Sequence, residues 1–251
     1  MRTIKLTVAY DGTPYVGWQR QAAGESVQGL LEDALSTIDG RRVTVHGAGR
    51  TDAGVHATGQ VASARIECAH GASTLLRALN ANLPPSVRVF DVRVMADDFH
   101  ARFSATGKTY EYRIWNGATL PPMLRLYAWH VPQTLDVAAM QRSAQAIVGQ
   151  HDFAAFQGAG TATHTSVRRV TAATWRRGAD GTLVFEISGE GFLRHMVRSL
   201  AGTLVEVGYG RRDAGDLARL LASGDRAAAG RTAPPQGLFL TKVEYDTERT
   251  S

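Results

Sequence analysis

A single cysteine in 251 residues, Cys68, excludes an internal disulfide framework and any cysteine-rich zinc site. Cys68 has no catalytic context in the sequence, so its thiol is expected to be a half-buried structural group. No apolar run approaches the roughly 20 residues needed to cross a bilayer. Met1-Arg2-Thr3-Ile4 passes directly into a strand pattern, so a cytoplasmic chain without membrane contact is expected. The eight histidines are scattered with no His-x-x-x-His pair, which argues against a metal site. Also missing are a G-x-x-x-x-G-K-[ST] phosphate loop, a G-x-G-x-x-G helix opening and a G-x-S-x-G elbow.

Lysine is scarce. Of 28 basic residues 3 are lysines (Lys5, Lys108, Lys242), so 25 are arginines, in a chain of net charge +5. Arginine holds phosphate with a planar bidentate fork, and this excess suits a polyanionic partner. Codon bias in a chain rich in Ala and Arg would give the same count, so charge alone does not decide. Hydrophobic content of 44% and charged content of 20% are those of an ordinary folded protein of one large or two small domains.

Alternation predicts a strand over Thr3–Tyr10 with Ile4, Leu6 and Val8 on one face. Ser26 is placed to cap a helix with the stripe Val27, Leu30, Leu31, Leu35 and Ile38. Strands at Arg42–Ala48 and Thr58–Ile66, a helix from Ser73 that stops before Pro84-Pro85, and a strand at Val87–Met95 follow. The second half repeats the order. It has a strand at Lys108–Trp115, a helix capped by Asp136 that ends at Gly149, and strands at Thr165–Arg177 and Thr182–Ser188 around Gly178-Ala179-Asp180-Gly181. A helix over Phe192–Val207, a short one near Asp213–Ala222 and a strand at Gly237–Tyr245 complete it. The expected fold is α+β: two pseudo-symmetric β-α-β-β-α-β, ferredoxin-like lobes, residues 1–104 and 105–251, with antiparallel sheets joined around a central cleft.

The segment Gly49-Arg50-Thr51-Asp52-Ala53-Gly54-Val55 joins two of the predicted strands through a Gly-rich bend. Its glycines permit a sharp turn and close approach of a substrate, and present Asp52 at a surface. A turn-capping role would use the same residues. No second acid accompanies Asp52, since Asp39 and Glu67 lie on other elements, which disfavours glycosidase chemistry and an aspartyl-nucleophile hydrolase. Arg50 lies two residues before it. Tyr110 and Tyr112 share one face of a strand, and Arg194 and Arg198, four apart, share one face of the predicted long helix. Core packing for the tyrosines and a solvated face for the arginines are the plainer alternatives.

At this point the residues fit a known family. Tyr10-Asp11-Gly12-Thr13, Gly17-Trp18-Gln19, Gly49 through Ala57 and Gly59-Gln60-Val61 are matching segments in the first half. Asn80-Ala81-Asn82-Leu83-Pro84, Phe99 through Ala105 and Lys108-Thr109-Tyr110-Glu111-Tyr112 continue the series. His151-Asp152-Phe153, Phe192 through Arg198 and Thr232 through Leu238 complete it. Over nearly its whole length the chain resembles the bacterial tRNA pseudouridine synthases of the TruA type, which act on uridines 38, 39 and 40 of the anticodon stem-loop.

The resemblance implies that Asp52 is the catalytic aspartate, that Tyr110 stacks on the target uracil, and that Arg198 pairs with the aspartate. It implies that Arg50 helps extrude the base or hold RNA and that Leu238 packs against the uracil. It further implies a tRNA partner, a homodimer, and a redox-neutral isomerisation that needs neither cofactor nor metal. The competing reading is a non-catalytic RNA-binding module with two RRM-like lobes, but no [K/R]-G-[F/Y]-[G/A]-F-V-x-[F/Y] run occurs on any predicted strand.

Overall fold

A computed structural model describes residues 1–158, 160 and 164–246; the tail of the predicted second lobe, 247–251, lies outside the described residues. The chain forms two compact units, Met1–Thr106 with Phe239–Ser251, and Gly107–Leu238.

In the first unit, β1 (Arg2–Tyr10) runs antiparallel to both β3 (His56–Ile66) and β4 (Val87–Met95), and β2 (Val45–Gly47) pairs antiparallel with β3. The sheet order β4-β1-β3, with β2 on β3, is that of a split βαβ unit. Ile4, Leu6 and Val8 are buried as alternation requires. Thr3 and Lys5 on the opposite face are buried too, with the Thr3 hydroxyl donating to the Asp97 carbonyl and Lys5 lying 5.4 Å from the centre of the Tyr245 ring. Ser26 accepts the Gly29 N–H and starts helix α1 (Val27–Asp39), as the capping pattern predicts. Helix α2 (Ala72–Asn82) packs on α1 and β4 and stops ahead of Pro84.

In the second unit, β5 (Ala105–Trp115), β9 (Leu183–Gly189), β8 (Val167–Arg177) and β7 (Gly149–Asp152) pair antiparallel in that order. The two-residue β6 (Trp129–His130) lies parallel on β5. Asp136 accepts the Ala139 N–H and caps α3 (Val137–Gln145). That helix ends four residues short of the predicted Gly149, which instead opens β7. Helices α4 (Met196–Gly208) and α5 (Asp216–Ser223) follow, and α3 packs against α4, α5 and β8.

The last strand, β10 (Leu238–Tyr245), was expected to complete the second lobe. From Phe239 onward it clusters instead with the first unit, where Phe239 and Leu240 run parallel to His56 and Ala57 of β3. A repeat read along the chain shows that a strand returns, but not which edge receives it.

Candidate active site

The chain from Ala48 to Val55 links β2 to β3 and carries Arg50 and Asp52. Asp52 is half-buried, Arg50 is exposed, and the Val55 N–H closes a turn on the Asp52 carbonyl at 3.1 Å. Thr51 between them is buried, and its hydroxyl meets the Tyr10 phenol at 2.8 Å. The Gln60 amide donates both to the Tyr10 oxygen at 3.4 Å and to the Gly49 carbonyl at 2.8 Å. Burial pushes the Tyr10 pKa up to about 12, against the lowering effect of its bonds to Thr51 and Gln60, so the phenol stays protonated at neutral pH. The Trp18 N–H donates to the Thr51 carbonyl at 3.1 Å.

Gly12 approaches the loop from its other end. A Cβ there would fall 1.9 Å from the Val55 carbonyl oxygen, a contact only glycine permits. Its N–H donates to Nδ1 of the buried His56 at 3.0 Å, and His56 in turn stacks on Phe239 at 4.7 Å. The Tyr10–Gln19 stretch therefore grips the Asp52 loop from behind. Composition gave no sign of this bracing. Its one trace in the sequence was that Tyr10-Asp11-Gly12-Thr13, Gly17-Trp18-Gln19 and Gln60 belong to the segments carrying the family resemblance.

In the second unit, alternation along β5 puts Tyr110, Tyr112 and Ile114 on the buried face. Tyr110 is 7% exposed and meets the Phe192 ring edge-on at 5.1 Å. Tyr112 donates its hydroxyl to the Pro234 carbonyl at 2.8 Å. Burial raises the Tyr112 pKa far above the usual phenol value, although Arg198 and Arg231 nearby work in the opposite direction.

The long helix departs from expectation at its start. His195 adopts a left-handed φ of 62°, and α4 begins only at Met196. Arg194 therefore precedes the helix, with its carbonyl accepting the Gly158 N–H and its side chain exposed. Arg194 and Arg198 do not share a helix face. Arg198 lies on α4, where its Nε donates to the Ala233 carbonyl at 2.8 Å and its own carbonyl accepts the Ala233 N–H at 3.1 Å.

Four residues on, Gly202 lets the Arg231 carbonyl against the helix, where a Cβ would lie 1.8 Å away. The Thr203 hydroxyl donates to the Ser199 carbonyl and accepts the Gly230 N–H. One stretch, Gly230 to Pro234, is thus laced to α4, touches Tyr112, and runs through a short turn into the buried Leu238. Arg198, Tyr112 and Leu238 are tied together by it, with Tyr110 two residues along the same strand face.

The family model described as tRNA pseudouridine synthase matches residues 6–104 and 143–246. The chain belongs to this family. The tRNA pseudouridine synthase A of Solidesulfovibrio magneticus is 53% identical over 253 residues, covering 98% of this chain and 92% of its own length. That of Myxococcus xanthus is 46% identical over 245 residues, with 98% and 92% covered. The tRNA pseudouridine synthase A 1 of Desulfotalea psychrophila is 43% identical over 251 residues, with 98% and 100% covered.

As a tRNA pseudouridine synthase, the chain is an isomerase that converts uridine to pseudouridine in tRNA. The bond from C1′ to N1 breaks, the base turns, and C1′ bonds to C5; C5 gives up its proton and N1 regains one. A pseudouridine synthase therefore needs an acid-base group at the nucleoside and a pocket for a base out of its stack.

Proposed function

We propose that this synthase modifies uridines 38, 39 and 40 of the tRNA anticodon stem-loop, acting as a homodimer in the cytoplasm, with Asp52 as its catalytic carboxylate. The observation that carries this reading is the bracing of the Asp52 loop: a half-buried carboxylate on a backbone fixed through Thr51, Gly49 and Val55. An acid positioned in this way suits chemistry that needs one carboxylate, as nucleophile or as base at the sugar. Tyr110 stacks on the extruded uracil and Leu238 packs against it, offsetting the few kcal/mol lost on unstacking. Arg198 pairs with Asp52 and orients it. Arg50, exposed beside Asp52, helps to extrude the base.

The test uses unmodified tRNA transcripts labelled with tritium at uracil C5, because bond formation at C5 must release the label to water. Release is expected from transcripts with uridine at 38, 39 or 40 and is lost when all three are cytidine. Release that persists without those uridines would overturn the positional assignment. Sedimentation of the full chain as a monomer would overturn the homodimer.

A further inference from the structure

A column of three rings crosses two segments of the first unit. His46, on β2 and six residues before Asp52, has its ring 4.8 Å from that of His100, and His100 lies 4.4 Å from Phe103, both at shallow tilts. The Arg102 guanidinium sits 5.6 Å from the Phe103 ring. His46 and His100 also line a cavity of about 380 Å³, within the roughly 300–1,000 Å³ of clefts that take small ligands. Arg41, Arg42 and Arg65 contribute to its wall, with Asp97 and Asp98 as the acidic members.

The turn that presents Phe103 is fixed. Ala101 is fully buried, its N–H donates to the Ser63 hydroxyl at 3.0 Å, and its carbonyl accepts the Tyr245 hydroxyl at 2.8 Å. The Ser104 N–H donates to the His100 carbonyl at 2.9 Å. Nδ1 of His100 accepts the N–H groups of Arg102 and Phe103. Burial, together with the neighbouring His46 and Arg102, lowers the His100 pKa, so its ring is neutral at neutral pH. Yet Phe103 itself is 77% exposed.

A large ring held in water on a rigid turn is a platform awaiting a cover. Its surroundings indicate which cover fits. The cores of protein interfaces are depleted of charge, whereas this ring has the exposed Arg102 guanidinium beside it and stacks on His100, whose cavity also carries the exposed Arg42 and Arg65. A nucleobase offers a π face to the ring and a phosphate to the guanidinium groups.

We propose that the His46–His100–Phe103 column is a stacking site for an unpaired base of the RNA substrate other than the target uridine, with Arg42 and Arg65 meeting the adjoining phosphates. The proposal rests on tRNA being the substrate and gives the first unit a second hold on it.

The experiment compares the parent with Phe103→Ala, Phe103→Trp and His46→Ala, measuring tRNA affinity, steady-state C5 label release and sedimentation. Phe103→Ala is expected to weaken binding and raise KM about 5- to 150-fold, the range for one base–aromatic stack, with the rate at saturating tRNA within about twofold. Phe103→Trp should bind like the parent, and His46→Ala should lie between parent and Phe103→Ala. The affinity loss should persist on tRNA with cytidine at every target position. Unchanged affinity in Phe103→Ala, or a loss that vanishes on the cytidine tRNA, would overturn the site. So would a Phe103→Ala variant that loses its oligomeric state, because the ring would then face a second copy of the chain. Failure of the parent itself to release label would instead defeat the functional reading.

Discussion

In the proposed assignment, Asp52 and Tyr110 are the residues at which chemistry and binding separate most cleanly. Asp52→Asn keeps the shape of the braced loop and removes the charge, so C5 label release is expected to vanish while tRNA affinity stays within a few-fold, affinity being carried largely by phosphate contacts. Appreciable turnover by this variant would move the catalytic assignment elsewhere. Tyr110→Leu should lose stacking worth about 1–3 kcal/mol. Tyr110→Phe keeps the ring and its edge contact with Phe192, and single-turnover rates are expected to fall strongly only if the phenol also carries a proton. Near-parental rates in Tyr110→Phe would leave the ring as a stacking surface alone. The loop that carries Asp52 and Arg50 is legible in the sequence because a Gly-rich bend between strands has few shapes. The network behind them is not, since Tyr10 lies 41 residues from Thr51 and Gln60 lies 50 from Tyr10 and 11 from Gly49, and these groups meet only after the sheet has formed.

At the level of elements, local signals survive wherever they are satisfied locally. Ser26 and Asp136 are readable as caps because each bonds an N–H three residues ahead, and β4 falls at Val87–Met95 as its alternation predicts. The start of α4 misleads because Phe192, Met196 and Leu200 keep helical spacing across a chain that is not helical before Met196. Hydrophobic period reports which side chains are buried, and a loop tucked against the core buries them equally well. The lacing of Gly230–Pro234 to α4 gives a stability prediction. Alanine is the better helix former by about 1 kcal/mol, but its Cβ at 202 would collide with the Arg231 carbonyl. Gly202→Ala is therefore expected to destabilise the protein by about 1–3 kcal/mol. Calorimetry showing a melting temperature at or above the parent's would contradict the seating of this segment on the helix.

For the molecule as a whole, arginine excess becomes a statement about RNA only through titration. Four or more neutralised phosphates should weaken tRNA binding on the order of 100-fold between 50 and 200 mM salt. Affinity nearly flat over that range would mark the excess as compositional. Among the described residues no helix is long and apolar enough to cross a membrane. The two-part α+β plan is legible from periodicity, but the destination of the last strand is not, because pairing of Phe239 with His56 is a long-range contact without local signature. That pairing also sets a schedule for synthesis. The first unit is translated through Thr106 but lacks the strand beside His56 until Phe239 has been added, about 130 residues later. At about 5–20 residues per second the edge of β3 next to the Asp52 loop stays open for roughly 7–27 s on the ribosome. A nascent chain thus carries the Asp52 loop long before it can lay down the strand that closes the sheet beside it.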